Sequence, residues 1–381
     1  MSLRGAKTWI EVSHAAMEQN IAALRTFMKP ESTFCAVIKA NAYGCGMREA
    51  ATIATECGID TFAVDSIDEA VGLRELLPKA TIFILGFTVS ERLNDVVAID
   101  AIQTVYNPET IVEITKHALH RHRPARVSIK IETGLHRQGV NPRGLVSLLD
   151  AIHAAGDSIL VEGVGTHFAC AEEPTDPMNA YQMKHFAAAV QSIRDAGYTP
   201  RYEHIACSAA AMVDRETQGT MSRIGIALYG LWSSKTQKRQ VVLGRQNIEL
   251  HPVLSWKTRI AQIKDIPPGA TVSYGCTYTA NRPLRIAVLP VGYYDGYDRG
   301  LSNKGEVLIR GRRCPVLGIV CMNMIMVDVS AVPSVAVDDV ATLLGRDGMN
   351  AITAEDIAAI IATSHYEVVT RINPLLPRII V

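Results

Sequence analysis

The segment Ala36-Val-Ile-Lys-Ala-Asn-Ala-Tyr-Gly-Cys-Gly46 begins as an apolar run, delivers Lys39, and then opens into small, turn-forming residues. This pattern indicates a buried strand that ends at a loop. Small residues and glycine let a planar ligand and its phosphate approach the backbone closely. Lys39 is therefore a candidate for a Schiff-base lysine, since partial burial frees the amine as a nucleophile. The alternative is a lysine that only extends its amine to solvent at a strand end.

Seven further apolar runs follow the first one and alternate with helical patterns. Several connections carry helix-start signals, such as the capping box Ser66-Ile-Asp-Glu69 and the pairs Asn107-Pro and Asn141-Pro. Eight strand–helix units without an early Gly-x-Gly-x-x-Gly turn predict an α/β fold, a (β/α)8 TIM-type barrel rather than an open sheet. The predicted strands are residues 34–39, 61–65, 81–85, 101–106, 126–132, 160–167, 202–206 and 222–228.

After a polar segment at residues 233–240 the pattern of apolar and polar residues changes. Residues 250–330 show short alternating runs broken by turn signals, which predicts a mainly antiparallel β domain. One short helix is expected at about residues 354–362. The 381 residues exceed the size at which one core usually divides. We expect a barrel over 12–240 and the C-terminal β domain over 241–381, with residues 1–11 pairing with the latter.

Composition narrows the function classes. The chain has 38 basic and 38 acidic residues, so no charge field favours nucleic acid or a membrane surface. We find no signal segment that would predict export and no apolar window long enough to predict a membrane span. The eight cysteines form no Cys-x-x-Cys pair, which argues against disulfides and a metal site. We expect a cytoplasmic enzyme without nucleic-acid or membrane partners.

Chemically capable residues gather where the predicted barrel strands end, and barrels carry their active sites at that face. Taken singly, each of these residues could instead have a purely structural role, such as that of a buried core histidine or of a partner in a surface ion pair. Barrels often bind phosphate at the loops after strands seven and eight, and a lysine opposite a phosphate site is the arrangement expected for pyridoxal phosphate. The candidates are Lys39, Tyr43, Lys130, Arg137, His167, Ser208, Arg223, Gly225 and Ile226.

With these residues assembled, the chain closely resembles the alanine racemase family of fold-type III pyridoxal-phosphate enzymes over essentially its whole length. The resemblance rests on the Lys39 segment and on four further blocks, which are highly specific in combination. These blocks are Lys130-Ile-Glu-Thr-Gly-Leu-His-Arg137, His204-Ile-Ala-Cys-Ser-Ala-Ala210, Arg223-Ile-Gly-Ile-Ala-Leu-Tyr-Gly230 and Val272-Ser-Tyr-Gly-Cys-Thr-Tyr278.

The resemblance implies interconversion of L- and D-alanine with pyridoxal 5'-phosphate, supplying D-alanine for peptidoglycan. Lys39 would bind the cofactor and act as one acid/base, and Tyr274 would serve the opposite face across a homodimer interface. Arg223 would contact the pyridine nitrogen, and His167 would bridge Arg223 to Tyr274. The other implied roles are phosphate binding by Tyr43, Ser208, Gly225, Ile226 and Tyr366, contact of Arg137 with the cofactor's phenolic oxygen and the substrate carboxylate, carboxylate binding by the Met322 amide, narrowing of the access by Tyr293, and carbamylation of Lys130.

Three positions depart from the family pattern. Cys45 stands where histidine is usual, Cys207 where asparagine is common, and Asn323 where aspartate is common. Because two of them flank proposed site residues, a racemase acting on serine or lysine remains an alternative. A fold-type III decarboxylase would be expected to carry an acidic residue in place of Arg223. A non-enzymatic cofactor carrier would not need the domain that holds Tyr274.

Overall fold

The computed structural model describes residues 5–244 and 248–381; residues 1–4 of the predicted segment 1–11 lie outside the described residues. The strands are β1 (Thr8–Val12), β2 (Thr33–Val37), β3 (Thr61–Val64), β4 (Thr81–Ile84), β5 (Ile102–Val105), β6 (Ala125–Lys130), β7 (Ile159–Gly165), β8 (Tyr202–His204), β9 (Met221–Ile224), β10 (Leu254–Arg259), β11 (Gln262–Ile266), β12 (Thr271–Val272), β13 (Tyr278–Thr279), β14 (Leu284–Leu289), β15 (Glu306–Ile309), β16 (Arg312–Leu317), β17 (Ile325–Asp328), β18 (Val340–Asp347), β19 (Asn350–Ile352) and β20 (Arg378–Ile380). The helices are α1 (His14–Arg25), α2 (Lys39–Tyr43), α3 (Met47–Glu56), α4 (Ile67–Leu76), α5 (Leu93–Ala98), α6 (Pro108–His120), α7 (Pro142–Ala155), α8 (Pro177–Asp195), α9 (Ser208–Val213), α10 (Lys235–Gly244), α11 (Ala354–Ile361) and α12 (His365–Thr370).

The barrel unit comprises Ala16–Ala40 and Ala51–His251. Within the described residues, its parallel sheet has eight strands in the order β8-β7-β6-β5-β4-β3-β2-β9. The two end strands approach each other, since the amide of Arg223 in β9 donates to the carbonyl of Ala206 just beyond β8, at 3.1 Å. Strands β3 and β5 are buried at every position, as expected when one face fills a barrel and the other packs against helices. The predicted (β/α)8 barrel is confirmed.

The predicted strands run too far at their carboxyl ends. Strand β2 ends at Val37 rather than Lys39, because residues 40–43 adopt φ angles of +52 to +54° that no strand contains. Strand β9 ends at Ile224, and Ile226–Tyr229 form a 3₁₀ turn instead of continuing the strand. In both places buried apolar residues continue past the strand, so hydrophobicity alone does not mark its end.

The helix-start signals act as expected. The Ser66 hydroxyl accepts from the amide of Glu69 at 3.2 Å, and the Glu69 carboxylate accepts from the amide of Ser66 at 3.4 Å. The side chains of Asn107 and Asn141 likewise cap α6 and α7. These caps satisfy amides that the first helical turn leaves without partners.

The second unit comprises the described residues up to Ala15, together with Asn41–Ala50 and Pro252–Val381. Its main sheet has the order β11-β14-β17-β16-β15-β18-β10-β1-β20, with β19 on β18. Strand β1 pairs antiparallel with β10 and parallel with β20, and the other ladders are antiparallel. The predicted mainly antiparallel β domain is confirmed. The predicted boundaries at residues 12 and 241 stay predictions.

The predicted helix at 354–362 corresponds to α11, which Thr353 and Asp356 cap reciprocally. Helix α12 follows it and was not predicted. It has six residues, which is too few for a helical periodicity to be recognised in the sequence.

Candidate active site

Lys39 lies directly after β2, at the start of a left-handed helical turn. Residues 40–43 all have φ between +52 and +54°. This conformation costs a non-glycine residue about 1–2 kcal/mol. The amides of Gly44 and Gly46 donate to the carbonyl of Asn41 at 3.1 and 2.9 Å and close the turn. Backbone strain of this kind persists where the surroundings hold it, and it concentrates at functional sites.

The Lys39 amine has a carboxylate partner that the sequence analysis did not predict. Its side chain is 37% exposed, and Nζ lies 3.0 Å from Oδ1 of Asp65, which directly follows β3. The Glu69 carboxylate accepts from the amide of Ala40 at 2.7 Å and from that of Asp65 at 2.8 Å. The ends of β2 and β3 are therefore joined through one side chain of α4.

Arg223 is 5% exposed, and both of its terminal nitrogens are engaged. Nη1 donates to the carbonyl of His204 at 2.8 Å and contacts that ring's Nδ1. Nη2 donates to the carbonyls of Thr166 at 2.8 Å and Ile205 at 3.2 Å, and it lies 3.0 Å from Nδ1 of His167. A guanidinium only donates, so both Nδ1 atoms accept and both rings carry their proton on Nε2. The Arg223 Nε–H makes no hydrogen bond within the part of the chain that the structure describes, and it is available to a ligand.

Burial and the surrounding charges both favour the neutral form of His167. Burial lowers its pKa well below the ordinary value, and the charges of Arg223, Lys130, Arg137 and Lys39 lower it further. Burial also lowers the pKa of Lys130 well below its usual range, with Arg223 and Arg137 adding to the effect. The electrostatic field at this imidazole is therefore positive. Such a field favours anionic ligand groups, for example a phosphate or a carboxylate.

His204 supports Arg223 from inside the barrel and was not predicted as a site residue. Its Nε2 lies 3.2 Å from the Ser128 hydroxyl. A Cβ at Gly165 would lie 2.1 Å from the His204 ring, so the ring fits only because that position is glycine. Burial, followed by the charge of Arg223, lowers the pKa of His204 well below its ordinary value. Its signals in the sequence were its place in a predicted strand and its position at the start of the block His204–Ala210.

The loops after β8 and β9 meet at Ser208. Its hydroxyl accepts from the amide of Gly225 at 2.9 Å and from that of Ala227 at 3.5 Å. The structure thus brings Ser208 and Gly225 together, with Ile226 next in the chain. Arg137 lies exposed on the loop that follows β6.

The second unit holds Tyr43 and Tyr366. Their ring centroids lie 6.3 Å apart, with the planes inclined at 51°. The buried Arg378 donates from Nε to the carbonyl of Gly44 at 3.2 Å, directly after Tyr43. Its Nη1 donates to three carbonyls that follow α12, so one guanidinium ties the two tyrosine-bearing segments together. These carbonyls belong to Asn373, Pro374 and Leu376.

Tyr274 lies in a turn of the second unit, and its side chain is 71% exposed. The preceding residue, Ser273, has φ +69° and donates its hydroxyl to the carbonyl of Ile319 at 2.6 Å. The amide of Tyr293 donates to the carbonyl of Cys321 at 3.0 Å, one residue before Met322. The segments that carry Tyr274, Tyr293 and Met322 are therefore linked through residues 319–321.

Comparison with known proteins identifies the family. Residues 12–233 match the description "Alanine racemase, N-terminal domain" and residues 253–380 match "Alanine racemase, C-terminal domain". The alanine racemase of Leptospira interrogans (serovar Lai) is 36% identical over 98% of this chain and 96% of its own length. That of Symbiobacterium thermophilum is 39% identical over 99% and 98%.

Solved structures agree with these relatives. The alanine racemase of a D-cycloserine-producing Streptomyces lavendulae superposes with a TM-score of 0.90, at 32% identity over 99% of this chain and 97% of that one. The Bacillus anthracis alanine racemase with bound L-Ala-P gives a TM-score of 0.91, at 31% identity over 99% and 95%. With both domains matched and relatives aligned along their whole length, the chain belongs to the alanine racemase family and is an enzyme that racemises alanine.

Proposed function

We propose that the chain interconverts L- and D-alanine with pyridoxal 5'-phosphate by a two-base mechanism, with Lys39 and Tyr274 on opposite faces of the substrate. The observation that carries the proposal is the orientation of Arg223. Its terminal nitrogens are held by protein acceptors, and its Nε–H is left for the cofactor's ring nitrogen. When bound, the cofactor supplies an electron-withdrawing ring that stabilises negative charge at the substrate α-carbon.

The donors of this chain fit such a cofactor. Lys39 offers an amine for its aldehyde, and Arg223 offers a donor that is effectively never deprotonated. Because Arg223 keeps its proton, the ring nitrogen would stay unprotonated and withdraw electrons less strongly. We infer that this suppresses transamination as a side reaction. The proposed phosphate ligands are Tyr43, Ser208, Gly225, Ile226 and Tyr366.

Inversion of the α-carbon requires that a proton leaves one face and another arrives at the opposite face. A single base would return the proton to the face it came from. Lys39 would exchange the proton on one face, and Tyr274 of the partner subunit would exchange it on the other. His167 would donate its Nε2–H to that tyrosine oxygen, because its Nδ1 is occupied by Arg223. The hydrogen bond would stabilise the phenolate form of the tyrosine.

Arg137 and the Met322 amide are the proposed ligands of the substrate carboxylate, and we propose that Lys130 is carbamylated. Burial, followed by the charges of Arg223 and Arg137, lowers the pKa of Lys130 well below its usual range, which favours the neutral amine that attacks carbon dioxide. One N–C bond forms while one C=O π bond of carbon dioxide opens to give a carboxylate, one N–H bond breaks to release a proton, and the product anion would pair with Arg137. Native mass spectrometry in bicarbonate should show a gain of one carbon dioxide that Lys130→Met lacks. An unmodified mass would overturn this step.

A homodimer is the proposed assembly. The second unit exposes a set of large apolar side chains, and contiguous exposed apolar surface marks an interaction site. Sedimentation should report twice the chain mass of 41.4 kDa, and Met324→Lys should weaken the assembly. A monomer at catalytic concentrations would contradict the shared site. The exposed residues are Tyr274, Tyr293, Tyr294, Met322 and Met324.

A cytoplasmic location and a supply of D-alanine for peptidoglycan complete the proposal. All eight cysteines carry free thiols, as is usual in a reducing compartment. Among the described residues, no helix is long and apolar enough to cross a membrane. Expression of the chain should restore growth without D-alanine to a racemase-deficient bacterium. Continued dependence on D-alanine despite active enzyme would count against this role.

The deciding experiment mixes the cofactor-loaded protein with L-alanine in deuterium oxide and follows chirality and α-deuteration together. Racemisation with incorporation of solvent deuterium at the α-carbon would support the proposed two-base mechanism. No exchange by folded, loaded protein would eliminate it. Serine and lysine are the next substrates to test, because the departures at Cys207 and Asn323 flank proposed site residues.

A further inference from the structure

Helix α8 buries one polar side chain in an otherwise apolar face. Gln182 is 0% exposed and occupies a position at which helical periodicity calls for an apolar residue. A buried amide is costly unless hydrogen bonds satisfy it, so such a residue needs an explanation. The buried residues of the helix are Gln182, Phe186, Ala189, Val190 and Ile193.

Gln182 hydrogen-bonds to two loops at the mouth of the barrel. Its Nε2 donates to the Thr133 hydroxyl at 3.0 Å and to the carbonyl of His167 at 2.9 Å. Its Oε1 accepts from the amide of Ala169 at 2.8 Å. Thr133 lies in the loop that leads from β6 to Arg137, and the other two partners lie in the loop after β7. One amide therefore joins the Arg137 loop to the His167 loop.

A chain of hydrogen bonds continues from Thr133 through Thr166 to Arg223, and the donor and acceptor of each bond are fixed. The Thr166 hydroxyl donates to the carbonyl of Ile131 at 2.8 Å, so its oxygen can only accept from the Thr133 hydroxyl, 2.8 Å away. Thr133 therefore donates to Thr166 and accepts from Gln182. The carbonyl of Thr166 accepts in turn from Nη2 of Arg223 at 2.8 Å. Both threonines are buried, so water does not compete with these bonds.

We propose that Gln182 is a positioning residue of the racemase site, setting the Arg137 loop through Thr133 and the His167 loop through its main chain. The proposal rests on the proposed function, in which Arg137 binds the substrate carboxylate and His167 assists proton transfer. A helix anchored in the barrel wall is a more rigid support than the loops themselves. A misplacement of about 1 Å costs a reaction about 10²-fold, so such support affects catalysis directly.

The first test compares Gln182→Glu with Gln191→Glu. Gln191 is an exposed glutamine on the same helix, and its amide donates to Asp195 of that helix. An ionised carboxylate at 182 keeps the acceptor for Ala169 but turns lone pairs towards Thr133 and the His167 carbonyl. We expect kcat/KM for alanine to fall about 10–100-fold in Gln182→Glu. Gln191→Glu should match the unmodified enzyme.

A second variant, Thr133→Val, keeps the shape of the side chain. It separates the effect of Gln182 on the Arg137 loop from its effect on the His167 loop. It removes the hydroxyl that accepts from Gln182 and donates to Thr166, and it leaves the hydrogen bond from Gln182 to the His167 carbonyl intact. We expect KM for alanine to rise about 3–10-fold with little change in kcat, because the loop that carries Arg137 loses the buried hydrogen bonds of the Thr133 hydroxyl. In the double variant Gln182→Glu/Thr133→Val, the fold-loss of kcat/KM should be smaller than the product of the losses in the two single variants.

Amide hydrogen exchange of Ala169 in the cofactor-free protein provides a readout that does not depend on activity. Exchange should accelerate in Gln182→Met and not in Gln191→Glu. Unchanged kinetics of folded Gln182→Glu with only a lower melting temperature would overturn the proposal and leave a structural role. Absence of racemisation by the unmodified protein would instead refute the proposed function, and Ala169 exchange would still report whether Gln182 holds the loop.

Discussion

The amine of Lys39 lies 3.0 Å from the carboxylate of Asp65, directly above the ends of two neighbouring barrel strands. Glu69 fixes the main chain beside both residues. A Cβ at Gly86 would lie 2.4 Å from the carbonyl oxygen of Asp65 and 3.0 Å from its Oδ2, so the glycine leaves room for the main chain and the carboxylate of Asp65. An ammonium has no lone pair for an aldehyde. The pair must therefore open before Lys39 can capture the cofactor.

Replacement of Asp65 tests this relationship. We expect Asp65→Asn to capture pyridoxal phosphate about 1.5–5-fold faster, the range that corresponds to an exposed ion pair. The measurement is the absorbance change after rapid mixing of cofactor-free protein with the cofactor. Asp68→Asn removes another exposed carboxylate, which pairs with Arg92, and should leave the rate unchanged. An unaltered or slower rate in Asp65→Asn would mean that the ion pair does not limit capture.

Lys39→Ala should abolish covalent attachment of the cofactor and lower racemisation by at least about 10³-fold, since both the anchor and one acid/base are lost. Borohydride reduction followed by peptide mass analysis should place the cofactor on the Lys39 peptide of the unmodified enzyme only. Lys29→Ala, which removes an ion pair to Glu216, is the control. A spectrum of Lys39→Ala identical to that of the unmodified protein would remove Lys39 as the cofactor lysine.

Tyr274→Phe should impair removal of the α-proton from L-alanine more directly than from D-alanine. The equilibrium constant between enantiomers is unity, so steady-state rates fall together in both directions and cannot assign the face. Single-turnover exchange of α-deuterium from each enantiomer can do so. We expect a loss of about 10²–10⁴-fold for the L-enantiomer. Equal losses for both enantiomers would contradict the assignment, and Tyr181→Phe, at an exposed site on α8, serves as the control.

Acid should destabilise the barrel through His204. Burial holds its pKa in the folded state well below the ordinary value, so below about pH 6.5 the unfolded chain binds a proton that the folded chain does not. The free energy of unfolding therefore falls as the pH drops, by up to about 1.4 kcal/mol per pH unit for this group. Denaturation at about pH 5 to 7.5 should show a weaker pH dependence in His204→Gln. The exposed His153→Gln should retain it, and an unchanged slope in His204→Gln would refute the assignment.

Much of the fold could be predicted because its signals are local. Caps such as Ser66 with Glu69 act within one helical turn, and the alternation of apolar runs with helical patterns implies a barrel without knowledge of any long-range contact. Strand ends were less predictable. Val37 ends β2 although Ile38 is also fully buried, because the left-handed turn that follows depends on packing and not on a hydrophobic pattern.

The individual site candidates were recognisable where a motif surrounded them, as for Lys39 and Arg223. Their partners were not. Asp65 and Gln182 carry no motif, and they matter only because strands far apart in the sequence end at the same face of the barrel. Gln182 did leave a signal in the sequence, a polar residue in the apolar stripe of a helix, which periodicity could have found.

The sequence by itself therefore determined the two-domain architecture, the family and the chemical types of the candidate residues, since these follow from local patterns and from residue identity. Only the tertiary structure decided which nitrogen of His167 and of His204 carries the proton, which donor of Arg223 is left for a ligand, and which carboxylate meets Lys39. Protonation and donor direction depend on distances of a few ångströms between residues tens of positions apart. Folding sets those distances, and no local pattern records them.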